Sequence, residues 1–396
     1  MDIKTFVAAR NRKLQDRMAD LGLDAVILVK PENTFYFSNF NPVLNSHPCF
    51  LLITPDKIRL LVHAIRASHA KEEGVIDDIF LYGRWGNNPP IANDPVDAIA
   101  VLLGDKPLRL GLELDYVNVN LCNKFREKLS INVISDLSRE IAMLKLVKDE
   151  YEISMIAGAS LLVDLGVETT IFCLEKGLSE AEAATEGQYK MRQMWSRQFP
   201  DKEVSGFGTS DGGMLDSLHI WSLTNGHIAY GCDCPRHYYP VSGDVSLPMA
   251  WAKLGGYQSE NERTVLIGEV TGIREKAYKA MLEARQAVFE LLKPGTTFEE
   301  LYICAAKIFS AHGFEDILPG RIGHGIGNSA HEFPSLEKGN TIPLAAGMCF
   351  TVEPGLMDKE WGGARHSDTV VITETGYDCL TKLRRDTFCI HPPKRP

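Results

Sequence analysis

The chain has 396 residues, 44% of them apolar and 24% charged, with a formal net charge of −10. That length points to more than one compact domain, and the balance of apolar and charged residues is that of an ordinary globular protein. The negative charge disfavours nucleic acid as a partner, because phosphate binding needs clustered Lys and Arg; the opening MDIKTFVAARNRKL lacks the apolar core of a secretory signal, and no uninterrupted apolar stretch has the length of a bilayer span. Nine cysteines are scattered along the chain, and the only close pair is Cys232 and Cys234. A C-x-C is too tight for most disulfides, and nothing pairs with it at zinc-site spacing. Reduced thiols in a cytoplasm are expected, with two small buried residues as the plain reading of the pair.

The first segment reads as alternating helices and strands. Residues 5–21 carry Phe6, Leu14, Met18 and Leu21 at roughly helical spacing. A turn at Gly22 leads into Ala25-Val26-Ile27-Leu28-Val29, an apolar run suited to a buried strand. Further strands are predicted at 49–53, 58–62 and 108–114, and helices at 64–73 and 96–103. The pattern is an α/β domain ending near residue 140. From 141 to 160 charged residues stand beside a long helical pattern that continues toward Glu168. Lys148-Asp149-Glu150 places carboxylates where a helix begins, near the positive end of its dipole. The domain boundary is set here, giving domains over 1–140 and 141–396. Ser179, with Glu182 three residues on, has N-cap spacing. Strands follow at 245–254 and 263–267, helices at 275–292 and 297–312 around Pro294-Gly295, and strands at 347–353 and 369–373.

Four clusters in the second half carry chemistry-bearing residues. The first is the loop Pro235-Arg236-His237-Tyr238-Tyr239-Pro240, and the second is Gln258-Ser259-Glu260-Asn261-Glu262-Arg263-Thr264. The third is Gly323-His324-Gly325-Ile326-Gly327-Asn328-Ser329-Ala330-His331-Glu332. The fourth is Thr351-Val352-Glu353-Pro354-Gly355, with Ala364-Arg365-His366-Ser367-Asp368-Thr369 after it. Taken singly, each has a plain structural reading. A loop histidine is usually a surface residue, and the glycines around His324 permit a turn. Glu260 and Glu262 alternate on a strand-like stretch, so both point to one face while Arg263 points to the other. Beside an apolar interior those carboxylates would be costly unless paired, and so would Glu353 at the end of an apolar strand.

In their order, these clusters resemble the pita-bread family that includes methionine aminopeptidase, prolidase, aminopeptidase P and creatinase. The stretches GHGIGNSAHEFPSL and FTVEPG are the most specific, and the first segment looks like the creatinase/prolidase N-terminal domain. The resemblance covers nearly the whole chain. It implies an α/β N-terminal domain followed by an α+β C-terminal pita-bread domain. The metallopeptidases of the family hold two metals with two aspartates, a histidine and two glutamates. Matched without a gap, the first aspartate position falls on Met249, the second on Glu260, the histidine on His324, the first glutamate on Glu353 and the last glutamate on Ser367. A thioether and a hydroxyl cannot replace the charges that two divalent ions require, so no metal or other cofactor is expected on this reading.

Creatinase is the family member that works without metal, and its catalytic glutamate is matched by Glu262 in Glu262-Arg263-Thr264. The resemblance further implies a proton-shuttling histidine, for which His237 is favoured over Cys232, the residue that gap-free matching selects. The expected function is metal-independent hydrolysis of a C–N bond in a small guanidino, amidine or cyclic amide compound. In that scheme His237, Glu262 and His331 are catalytic, while Glu260, His324, Glu353, His366 and Cys232 bind substrate. The alternative is an Xaa-Pro-type metallopeptidase with an altered or mononuclear site. A catalytically dead domain that binds a partner, and a lyase on the same fold, are two further readings. Family members of this length imply a homodimer acting on a small molecule, with no nucleic acid and no membrane.

Overall fold

A computed structural model describes residues 2–43, 46–207, 217–231 and 233–393. The chain divides into two units, Met1–Lys145 with Ser205–Asp216, and Leu146–Val204 with Ser217–Pro396.

The first unit is built on a sheet of β1 (Ala25–Leu28), β2 (Phe50–Ile53), β3 (Ile58–His63), β4 (Ile79–Tyr82), β5 (Leu108–Leu112) and β6 (Ile131–Asp136), in the order β4-β3-β2-β1-β5-β6. Its middle strands read AVIL and FLLI, apolar at every position, because both faces are covered. One face packs Leu14 and Met18 of α1 (Ile3–Asp20) and Phe37 of α2 (Pro31–Ser38). The other packs Ile99 of α4 (Pro95–Leu103) and Phe125 of α5 (Val119–Lys128); α3 (Ala67–Glu73) and α6 (Ser138–Leu144) complete the helices. The sequence pattern misses α2, α5, β4 and β6. Pro31 stands in the first turn of α2, where its missing N–H costs nothing. Buried Glu113 accepts bonds from the N–H groups of Val29 and Lys30 and from Asn33 Nδ2, which fastens that helix start. The half-buried faces of β4 and β6 carry too weak a pattern to be read.

The second unit begins with α7 (Glu150–Glu175) and α8 (Glu180–Gln198). Both start on a reciprocal capping box, Asp149 with Glu152 and Ser179 with Glu182. By length and composition α7 could cross a bilayer, although Asp164 and Glu168 interrupt its apolar run. Yet 56% of its apolar window is buried, and its Asp164 accepts a bond from Asn261 Nδ2, so α7 is a core helix of this unit.

The strands of this unit are β7 (Leu218–Thr224), β8 (Val245–Leu254), β9 (Tyr257–Glu262), β10 (Val265–Ile267), β11 (His324–Gly325) and β12 (Glu332–Ser335). After them come β13 (Cys349–Val352), β14 (Gly355–Asp358), β15 (Gly362–Arg365), β16 (Ser367–Ile372), β17 (Tyr377–Cys379) and β18 (Phe388–Ile390). Ten form one sheet along β12-β11-β13-β16-β9-β8-β10-β18, with β17 on β16 and β7 on β8; β14 and β15 pair separately. Helices α7 and α8 pack with Ala250, Ala252 and Leu254 of β8, while α9 (Ile273–Glu290) and α10 (Phe298–Ala311) pack with Phe350 and Val370 of β13 and β16. Helix α10 also carries a capping box, Thr297 with Glu300.

Candidate metal centre

Strand pairing assembles the site. On β8 and β9, Met249 lies opposite Glu262 and Trp251 opposite Glu260; on β16, Ser367 lies on the other side of Glu262. Because strand side chains alternate, Met249, Trp251, Glu260, Glu262 and Ser367 share one face. The two positions where the resemblance implies lost ligands therefore flank Glu262 directly. His324 enters from β11, where Gly323 allows close packing; a Cβ there would lie 2.1 Å from the carbonyl oxygen of Thr351. Glu353 follows the end of β13, its backbone N–H bonded to Ile322 O at 2.8 Å.

Trp251, Glu260, Glu262, His324 and Glu353 line a cavity of about 590 Å³. Glu260, His324 and Glu353 are buried, and each offers one ligand atom within 4.8 Å of the others. His324 Nε2 lies 3.5 Å from Glu260 Oε2 and 3.4 Å from Glu353 Oε1, while Nδ1 lies 3.1 Å from the carbonyl oxygen of Gly325. When the ring is neutral, a bond from Nδ1–H to that carbonyl leaves the Nε2 lone pair facing the carboxylates, the arrangement a metal ligand requires. Glu260 also accepts bonds from Ser367 Oγ at 2.6 Å and Trp251 Nε1 at 2.8 Å, which aim its two oxygens. Glu262 is engaged differently. Arg365 donates to both of its oxygens through Nε and, at 2.6 Å, through Nη2. Arg365 Nε is 3.7 Å from Glu353 Oε2, and its Nη2 is 3.7 Å from Met249 Sδ.

The charges hold one another. Burial alone would raise the Glu260 carboxyl, but His324, Ser367 and Arg365 outweigh it and hold it at about 2. Burial alone would lower His324, but Glu260 and then Glu353 hold its imidazolium up to about 9. Burial, reinforced by neighbouring carboxylates, pushes Glu262 and Glu353 upward against the Arg365 guanidinium. His331 sits at the mouth with its ring centroid 4.2 Å from that of His324; partial burial and the charge of His324 lower its pKa.

The structure thus brings together Glu260, Glu262, His324, His331 and Glu353 around one cavity. It does not bring His237 there. That side chain is exposed in its loop and is not among the cavity's lining. Nor does His366 line the cavity. It stands one residue before Ser367 and so faces the opposite side of the strand, fully buried near Tyr278 and Phe388, with Nδ1 accepting the Thr264 N–H at 3.0 Å. Cys232 lies outside the described residues. Sequence reasoning assigned no role to Arg365, which ends β15 two residues before Ser367 begins β16 and lines the same cavity. It also passed over Trp221 and Trp251, whose rings stand 4.7 Å apart along one wall; Trp221 lies opposite Met249 on β7, a strand the pattern missed.

Comparison with known proteins now bears on this geometry. Residues 154–374 match the family model of metallopeptidase family M24, and residues 10–147 match the creatinase/prolidase N-terminal domain. The chain belongs to metallopeptidase family M24. Among its relatives in that family, the Xaa-Pro dipeptidase of Pyrococcus furiosus is 28% identical, covering 95% of this chain and 99% of the relative. A putative dipeptidase of Bacillus subtilis is 26% identical over 96% of this chain and 99% of the relative. The crystal structure of the prolidase from Pyrococcus horikoshii superposes with a TM-score of 0.80 at 25% identity, covering 96% of this chain and all of the other. The two-domain, pita-bread architecture is that of this family.

These findings correct the functional expectation. A metal-independent, creatinase-like hydrolase is contradicted by full-length relatives that are dipeptidases of a metallopeptidase family and by a Glu260, His324 and Glu353 set disposed to hold a metal. Two carboxylates and an imidazole with its second nitrogen fixed are suited to one divalent ion. They do not fit two. Met249 and Ser367 supply no charge, and Glu262 is taken up by Arg365.

Proposed function

We propose that this protein is an atypical Xaa-Pro-type dipeptidase that works with a single divalent metal ion on Glu260, His324 and Glu353. The observation that carries the reading is the convergence of those three buried ligand atoms within 4.8 Å. Full-length similarity to Xaa-Pro dipeptidases supports the reaction class. A metal bound there supplies Lewis acidity toward a scissile carbonyl and acidifies water. The chain's own residues do the rest. Trp221 and Trp251 form an apolar wall that excludes water from one side of a bound peptide. Arg365 holds Glu262 in place and keeps a fixed positive charge beside the carboxylates. His331, whose pKa is lowered, is neutral near pH 7 and can take or return a proton at its imidazole. Within the proposal the protein acts as a cytoplasmic homodimer on short peptides.

The test is hydrolysis of a panel of Xaa-Pro dipeptides by the purified protein, before and after chelation and after metal is restored. Cleavage that chelation abolishes and metal restores is expected. Cleavage indifferent to chelator, or none with any dipeptide in the metal-loaded protein, overturns the reading.

A further inference from the structure

On the side of β16 away from the metal centre, Asp368 accepts bonds from Arg263 Nη2 at 2.8 Å and Thr381 Oγ1 at 2.6 Å. The same carboxylate pairs with Arg285, and Arg385 Nε lies 3.7 Å away. Three guanidiniums therefore converge on one carboxylate. Asp164 acts on Arg263 as well, but it is already bonded to Asn261 and to the Lys382 N–H. The unbalanced charge falls on Arg285 and Arg385. Arg285 is only 4% exposed, and neither its Nε nor that of Arg385 has a hydrogen-bond partner.

Both arginines border a cavity of about 640 Å³ between α9 and the turn after β16. Lys293 adds a third cation, Gln286, Thr375 and Tyr377 add polar groups, and Glu290 is the only acid in the described lining. The Phe289 ring lies against both guanidiniums, 4.8 Å from Arg285 and 5.5 Å from Arg385. A buried guanidinium with an unmet N–H beside like charges is costly. Its planar fork matches a phosphate or carboxylate group, which supplies both the missing acceptors and the missing charge.

We propose that this cavity is a second ligand site, for a small oxyanion bearing a phosphate or carboxylate group. An anion held there joins a network that reaches the metal centre. Arg263 Nη1 donates to the carbonyl oxygens of Glu262 and Ser367, each at 2.8 Å, and so ties Asp368 to the backbone of both.

The experiment is calorimetric titration of the full-length protein with inorganic phosphate and, separately, with succinate, at constant ionic strength and with chloride as the reference. It is repeated on a double variant, Arg385→Gln with Lys293→Gln, whose side chains reach solvent and whose folding is checked by circular dichroism. Saturable binding of one anion per chain, at least tenfold weaker in the double variant, is expected, and the tighter of the two probes names the group recognised. Binding no better than chloride, or binding that the double variant leaves unchanged, as at an unrelated site, overturns the proposal.

Discussion

The two faces of strands β9 and β16 carry opposite excesses of charge. Toward the metal centre, Glu260, Glu262 and Glu353 gather around Arg365 and His324. Away from it, Arg263, Arg285 and Arg385 gather around Asp368. One residue of sequence separates the two worlds, since Glu262 precedes Arg263 and Ser367 precedes Asp368. The difference between them is closure. Arg263 is sealed in, with every nitrogen bonded to a carbonyl or to Asp368. The front face keeps its three ligand positions, two carboxylates and an imidazole, open to a cavity, and the carboxylates hold a proton on that imidazole.

That contrast is sharpened by removing the central cation of each face. The largest effect is expected on the closed side. Arg263→Met leaves Asp368 and four carbonyl acceptors without their buried donor, at a cost of about 3–5 kcal/mol in a urea denaturation curve. A loss below about 1 kcal/mol would break the claim that this face is structural. Arg365→Met is expected to cost less, about 2 kcal/mol, because the arginine is one-fifth exposed and Glu262, left alone, can neutralise itself by taking a proton. A ranking in the opposite order would invert the comparison.

The effect smallest per step is one of pH, about 1.4 kcal/mol for each unit. The folded pKa of His324 is raised to about 9 in the metal-free protein, above the ordinary value of about 6.5. Its contribution to stability is therefore complete below pH ~6.5 and is lost as pH rises through about 9. Metal needs the neutral ring, so the same proton opposes binding at every pH below about 9. Affinity is expected to rise about tenfold, or about 1.4 kcal/mol, per pH unit as pH climbs toward about 9, then level off. Competition with a chromogenic chelator at several pH values measures it, and a flat profile would mean that His324 is not a ligand.

The fold was legible because its signals are local or combinatorial: AVIL and FLLI as buried strands, Ser179 with Glu182 as a cap, GHGIGNSAHEFPSL as a family stretch. Where the period of two was applied, at Glu260 and Glu262, the reading of facing side chains matches their placement. Where it was not applied, across residues 365–368, His366 was set in the cavity and Arg365 was left without a role. A loop offers no period, and at Pro235 to Pro240 the resemblance was weighed above the general rule that a loop histidine is exposed. The functional expectation failed for a different reason. Two missing ligands were weighed as the loss of all metal, whereas the burial and mutual distances of the three that remain are visible only once β9, β11 and β13 lie side by side.

A single-metal site stands or falls on whether those three side chains hold an ion. Metal analysis of the purified protein, after dialysis against each of several divalent ions, asks this directly, with His324→Ala and Glu353→Gln measured in parallel. Close to one equivalent per chain is expected in the parent and almost none in either variant. No bound ion with any of them, or the same content in the variants as in the parent, would contradict that site.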